Sequence, residues 1–392
     1  MLNNFKGLRS YPFYFIAFYL FLYMGFAVFS VFMPVYLDEL GYDNSDIGTL
    51  LSLGSFVGLF AQPLWGIISD RSKTKNNVLK VLALLSSLGI LLFGVSGNYF
   101  YIFSIMIVFS FFQSPIVPIS DSITLEYISS KGWKFGPIRL AGTIGYAVMP
   151  VLAGAMIKNN TNIMFFLCFV IGFMMFLSVF MMPKVKGHQS SGRKTSIFEL
   201  LKNRELMLLL GFTVVVQITI GYYNSFFSIY YKEMGADNSI LGWATFIACM
   251  SEVVFLLIGD RVIKRFGIKL TMICAAFIAV FRWALMGVVN NIYLILILQL
   301  LHGFTFIVIF YSMAMYINEK VQDELKASGQ ALNSAVGMGF TRIIGSVAGG
   351  VLSDYIGIRQ VFTLSSIAVL VSIIVFVPIF MAISRKSGIK NT

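Results

Sequence analysis

Twelve apolar stretches follow one another along this chain, separated by short polar breaks: 12–37, 46–69, 78–97, 99–122, 137–157, 162–182, 205–231, 239–258, 269–289, 292–316, 328–352 and 360–383. A helix that crosses a bilayer needs roughly 20 mostly apolar residues. In hydrocarbon each segment must also satisfy its own backbone hydrogen bonds, so these stretches are expected to be helices. They use most of the 392 residues and leave no room for a soluble catalytic domain. Only 12% of residues are charged and 58% are hydrophobic, against about 25% charged in a soluble domain. The expected fold is all-α and integral to the membrane, with the lipid bilayer as its main partner.

Charge placement gives the orientation. With the N-terminus inside, 23 of the 29 Lys and Arg residues fall on the cytoplasmic side, including Arg71–Lys80, Lys184–Arg204 and Arg261–Lys269. The opposite side carries three, Lys158, Lys232 and Arg359, and three more lie in or at the ends of spans. This is the positive-inside asymmetry, so the net charge of +12 reflects topology rather than nucleic-acid binding. Both termini are expected in the cytoplasm and the protein in the cell membrane. The first apolar stretch is too long for a cleaved signal, and reads as a signal anchor that doubles as the first helix. Cys168, Cys249 and Cys274 fit no metal or disulfide spacing and read as small buried hydrophobes.

The chain repeats itself. Gly41-Tyr-Asp-Asn-Ser-Asp-Ile-Gly48 returns 194 residues later as Gly235-Ala-Asp-Asn-Ser-Ile-Leu-Gly242, and each copy is expected to cap the next helix through a Ser or Asn side chain. Gly136-Pro-Ile-Arg139-Leu-Ala-Gly142 is echoed by Gly339-Phe-Thr-Arg342-Ile-Ile-Gly345, and Asp70-Arg71 by Asp260-Arg261. Three echoes in order imply a duplicated six-helix unit: one bundle over 1–183, a basic linker over 184–204 and a second bundle over 205–392. Two parallel halves about a membrane-normal axis suit a transporter that rocks around a midplane site. Gly66-Ile-Ile-Ser-Asp70-Arg71-Ser-Lys73-Thr-Lys75 resembles the loop signature of the major facilitator superfamily. That resemblance implies a conformational latch built on Gly66, Asp70 and Arg71, with Asp70 against a helix N-terminus and Arg71 against a carboxylate.

A charge at the bilayer centre costs from about 2.5 kcal/mol upward, so ionisable residues inside spans mark function. Asp121, with Glu126 near it, lies towards the cytoplasmic end of the fourth helix, where Pro115 and Pro118 loosen the backbone. Arg139 opens the fifth helix and is expected to pair with Asp121 or Glu126. Glu252, Arg282 and His302 place one ionisable group on each of three consecutive helices. Burial disfavours an ionised carboxylate and a nearby guanidinium favours it, so movement of Arg282 would load and unload a proton on Glu252, with His302 relaying or sensing it.

The stretches Ser251-Glu252, Phe281-Arg282-Trp283-Ala-Leu and Gln299-Leu-Leu-His302-Gly-Phe-Thr-Phe resemble the phenylpropionate permease family and its lactose-permease and nucleoside-permease relatives. So does Phe135-Gly136-Pro-Ile-Arg139-Leu-Ala-Gly142-Thr-Ile-Gly145. The resemblance implies proton symport through Glu252, Arg282 and His302, and substrate contact through Asp121 and Arg139. Two departures stand out: Phe135 and Pro137 occupy places where the family has Tyr-Gly and an extra Arg, and the tenth helix brings no second carboxylate.

Polar residues complete the expected site. Gln217, Gly221, Asn224 and Ser228 form a narrow stripe on the seventh helix, and Gln330, Ser334 and Thr341 repeat it on the eleventh. Tyr222, Tyr223, Tyr311 and Trp283 are candidates to stack on a solute, whereas His188 in the linker reads as solvated. The substrate-binding set is thus Asp121, Arg139, Gln217, Asn224, Tyr223 and Gln330. The expected function is proton-coupled import of an aromatic acid, oligosaccharide or nucleoside by a monomer, with the proton as coupling ion and no other cofactor or metal. A proton antiporter exporting a drug or metabolite is the alternative. A membrane enzyme is disfavoured, because no paired Asp motif for metal and no nucleophile–base pair is present.

Overall fold

The computed structural model describes residues 13–129, 131–157, 160–187, 200, 202–322 and 325–386. Among these, twelve helices are long and apolar enough to cross a membrane. They are α1 (Phe13–Glu39), α2 (Asn44–Arg71), α3 (Lys75–Gly89, continued by a 3-10 turn Ile90–Gly94), α4 (Tyr99–Gln113 and Ile116–Ser129), α5 (Phe135–Met156) and α6 (Ile163–Met181). The second set is α7 (Arg204–Glu233), α8 (Asn238–Phe266), α9 (Ile268–Val288), α10 (Ile292–Leu298, then Phe306–Lys320), α11 (Lys326–Ser334, then Thr341–Ile356) and α12 (Ile358–Lys386). The apolar stretches of the sequence thus correspond one to one with helices. Most of the expected 184–204 linker, His188 included, lies outside the described residues.

Three of these helices are irregular, each for a local reason. α4 breaks between Gln113 and Ile116, where Pro115 has no N–H to give the ladder; Pro118 then sits in the first turn of the next segment, where a proline is tolerated. α10 passes through a 3-10 turn at Gln299–Leu301 and resumes at Phe306. There the Gly303 N–H donates to Ser251 Oγ at 2.8 Å on α8 instead of to its own helix. α11 contains a π-helical segment, Ala335–Phe340.

The chain divides into two compact units. Unit 1 holds Met1–Tyr42, Leu53–Gly192 and Gly235–Phe246; unit 2 holds Asp43–Ser52, Arg193–Met234 and Ile247–Thr392. The opening turns of α2 and α8 are therefore each grouped with the other half of the sequence, a feature the duplicated pattern does not announce. Inside unit 1, α5 lies so close to α1 that a Cβ on Gly145 would stand 2.6 Å from the Leu20 carbonyl oxygen. Inside unit 2, Gly345 is likewise packed on the Ile218 carbonyl of α7. The echoed glycines are used differently: Gly345 meets backbone, whereas its partner Gly142 has the Tyr23 side chain of α1 where a Cβ would stand, and the backbone contact in unit 1 falls three residues on, at Gly145.

The expected caps are not the observed ones. The α8 N-terminus is closed by Asp237, whose Oδ1 accepts from Ile240 N at 2.8 Å. The first two amides of α2, Asn44 and Ser45, donate to the two carboxylate oxygens of Asp354 on α11, at 2.8 and 2.9 Å. A carboxylate serves better than a Ser or Asn side chain here, because it also meets the positive end of the helix dipole.

Candidate functional site

Unit 2 gathers its ionisable residues around a buried guanidinium. Arg282 on α9 is fully buried. Its Nη2 donates to Gln299 Oε1 at 2.8 Å, and the same oxygen accepts from Tyr223 OH at 2.7 Å. Gln299 is held in turn by its Nε2, which donates to the Ile295 carbonyl at 3.0 Å. The guanidinium carbon lies 4.3 Å from the Tyr223 ring centre and 4.7 Å from that of Trp283, a cation–π setting that partly offsets its lost hydration. Nε and Nη1 of Arg282 have no hydrogen-bond partner among the described residues.

Beside this cluster, His302 Nε2 stands 3.1 Å from Glu252 Oε1. The Glu252 side chain is 25% exposed and that of His302 10%, so the carboxylate is the more accessible member of the pair. The break in α10 sets this geometry: Ser251 Oγ accepts from Gly303 N, and Gly303 rests directly on the Ser251 and Glu252 backbone. The His302 ring lies 5.3 Å from that of Tyr223, tilted by 36°, which ties the pair to the Arg282 platform. The structure therefore brings Glu252, Arg282 and His302 into one cluster, as the sequence suggested. It adds Gln299, whose spacing of three from His302 was the available signal.

In unit 1 the expected ion pair is absent. Asp121 and Arg139 form no salt bridge within 4.0 Å among the described residues; Asp121 Oδ1 instead accepts from Tyr19 OH at 2.6 Å. Tyr19 OH also lies 3.3 Å from Thr124 Oγ1. Arg139 is placed over the Tyr23 ring at 4.1 Å and near Tyr19 at 5.6 Å, and its Nη1 is buried without a hydrogen-bond partner. Two tyrosines of α1 thus separate the charges, one holding each partner. Glu126, the other candidate, pairs with Lys75 at 3.1 Å.

That lysine also reorganises the latch. Lys75 is buried and lies 3.6 Å from Asp70 and 2.9 Å from Ser122 Oγ. Asp70 therefore meets the side-chain ammonium of Lys75, five residues on at the start of α3, while Arg71 is exposed and Gly66 has open space around it. Other expectations are also redirected. Tyr222, Tyr223 and Trp283 are buried in unit 2, with Tyr222 OH bonded to the Ile358 carbonyl and Tyr311 OH donating to Asp260. Gln330 Nε2 donates to the Ala314 carbonyl at 2.9 Å and so ties α11 to α10. On α7, Gln217 is buried, Gly221 packs against the α11 backbone and Asn224 is exposed. The stripe is thus in part a helix-packing seam.

A duplicated bundle of twelve membrane-crossing helices, with ionisable residues gathered inside each unit, defines the class: a polytopic membrane transporter. The chain belongs to the MFS_1 like family, whose pattern it matches over residues 14–364, and is therefore a major facilitator transporter of small solutes. It is 26% identical to the maltose permease of Geobacillus stearothermophilus, over 91% of this chain and 92% of that protein. It is also 26% identical to a probable 3-phenylpropionic acid transporter of Escherichia coli, over 86% and 89% of the two chains. The crystal structure of the nucleoside transporter NupG shares its fold, with a TM-score of 0.84 at 16% identity over 94% of this chain and 98% of that one.

Proposed function

We propose that this transporter is a proton-coupled symporter that imports a small organic solute by alternating access. It works as a monomer in the cell membrane, with both termini cytoplasmic. The Glu252–His302 contact beside Arg282 carries the reading. Protonating Glu252 removes the one carboxylate facing His302 and leaves Arg282 as the net charge of the cluster. A buried charge without a counter-charge is costly, so protonation state and packing around α8, α9 and α10 are linked. The inward proton supplies about 2.3 kcal/mol per 100 mV of membrane potential.

Asp121 and Arg139, held apart by Tyr19 and Tyr23, offer the solute an acceptor and a donor at separate points. This suits hydroxyls or a carboxylate, consistent with relatives named for maltose and 3-phenylpropionic acid. Gln217 and Asn224 are the further contacts we assign to the solute. Tyr223 and Gln330 act by positioning Arg282 and α10. Asp70, Lys75 and Glu126 form the latch, with Gly66 and Arg71 flanking it.

The test is uptake into proteoliposomes under an imposed inward proton gradient, with maltose, 3-phenylpropionate and a nucleoside as probes. The parent protein is expected to accumulate one of them. Glu252→Gln is expected to lose accumulation while retaining exchange of that solute across the membrane. Normal accumulation by Glu252→Gln would remove Glu252 from coupling. A gradient that empties the vesicles instead would make the protein an exporting antiporter.

A further inference from the structure

The two copies of the Asp-Asn-Ser segment are alike in sequence and unlike in use. In α8, Asp237 precedes the helix and caps it locally through Ile240 N. In α2 the residue at the same place is Asp43, whose backbone carbonyl accepts from Ile47 N at 3.0 Å as a helix-capping position should. Yet its side chain takes none of the first-turn amides among the described contacts. Asp354, at the end of α11 and 310 residues away, takes Asn44 N and Ser45 N with one oxygen each. Close backbone contact accompanies these bonds: Gly48 rests on the Ser346 carbonyl and Gly350 on that of Asn44. All of these contacts lie within unit 2, while the rest of α2 beyond Ser52 belongs to unit 1.

A cap supplied by the preceding residue stabilises its helix wherever that helix goes. A cap supplied by another helix stabilises it only while the two are in contact, so the capping free energy becomes part of the α2–α11 contact. With Asp43 already at the local capping position, the α2 N-terminus has two alternative carboxylates, one for each condition. At the α5–α8 contact in unit 1 a neutral side chain is used instead, with Asn238 Nδ2 donating to the Ile157 carbonyl at 3.3 Å, while Asp237 Oδ1 accepts from Ile240 N of its own helix.

We propose that Asp354 is a releasable latch on the extracytoplasmic end of α2. It holds the first turn of α2 on α11 in one state of the transport cycle, and Asp43 takes over the exposed amides when that turn departs. The two carboxylates bias the same equilibrium in opposite directions. The inference rests on the alternating-access reading and on the orientation given above, but not on proton coupling or on the solute.

The reporter is Ser346→Cys, placed under the α2 contact, with Cys168, Cys249 and Cys274 replaced. Its rate of labelling by a membrane-impermeant maleimide is read in intact cells. Asp354→Asn is expected to raise the rate roughly tenfold, the scale of losing a charge-assisted hydrogen bond, and Asp354→Glu to keep it near the parent rate. Asp43→Ala is expected to lower it, because the released state loses its cap. If Asp354→Asn does not reach the membrane, Ser45→Pro removes one of the two donors within the first helical turn, where proline is tolerated, and is expected to raise labelling likewise. Unchanged labelling in Asp354→Asn or Ser45→Pro would overturn the latch, as would faster labelling in Asp43→Ala. Loss of coupling in Glu252→Gln would leave all of these results in place.

Discussion

Replacing Gln299 by Leu tests whether an uncharged amide is what makes a buried guanidinium tolerable here. The substitution keeps side-chain volume and removes the carboxamide, whose oxygen is the acceptor for both Arg282 Nη2 at 2.8 Å and Tyr223 OH at 2.7 Å and whose nitrogen only donates within its own helix, to the Ile295 carbonyl. Arg282 already has no partner for Nε and Nη1 among the described residues, so the variant would leave the guanidinium with only the Tyr223 hydroxyl beside it to accept. A hydrogen bond to a charged group contributes about 1.5–3 kcal/mol and a neutral one about 1 kcal/mol. Gln299→Leu is therefore expected to cost about 2.5–4 kcal/mol, a large part of the roughly 5–15 kcal/mol of a typical fold. The assay is denaturant-titrated unfolding in mixed micelles, run as a double-mutant cycle with Arg282→Met. Removing both partners avoids the stranded charge, so the double variant should be more stable than Gln299→Leu alone. A loss under about 1 kcal/mol in the single variant, or a double variant less stable than it, would refute the reasoning.

Two further perturbations follow from the packing. Lys75→Met leaves the Asp70 and Glu126 carboxylates together without their shared cation; both are partly exposed, so we expect a loss of only about 1 kcal/mol, partly restored by adding Glu126→Gln, as read in the same unfolding assay. Gly303→Val drives a side chain into the Ser251 and Glu252 backbone and should abolish the monodisperse peak in size-exclusion chromatography, whereas Gly136→Ala, with open space at its Cβ, should elute as the parent does.

The helices were legible because hydrocarbon leaves a chain little choice: long apolar runs with short breaks locate all twelve, and the duplication shows in Arg139 and Arg342, Gly142 and Gly345. The cluster of Glu252, Arg282 and His302 was legible for a related reason, since each is too costly in lipid to be incidental. Partner choice was not. Asp121 and Arg139 look complementary in sequence, but tyrosines from α1 reach both first, and tyrosines are too common in this chain to stand out. Lys75 reads as one of several loop cations, and only the fold shows that it is the buried one. Caps mislead in the same way: Asp43 and Asp237 are indistinguishable until a distant Asp354 is placed beside one of them.

The π-helical segment Ala335–Phe340 has a geometric consequence for everything after it. Such a bulge behaves as one residue inserted into an α-helix, and one residue turns a helix by about 100°. Everything from Thr341 to Ile356 is thereby rotated relative to the start of α11. The aim of Gly345 at α7, of Gly350 at α2 and of the Asp354 carboxylate is thus set a few turns upstream. Straightening the bulge into regular α-helix with every residue kept would point those side chains elsewhere, whereas deleting one residue along with the bulge would leave their aim nearly unchanged, so the register of this helix is itself part of the working machinery.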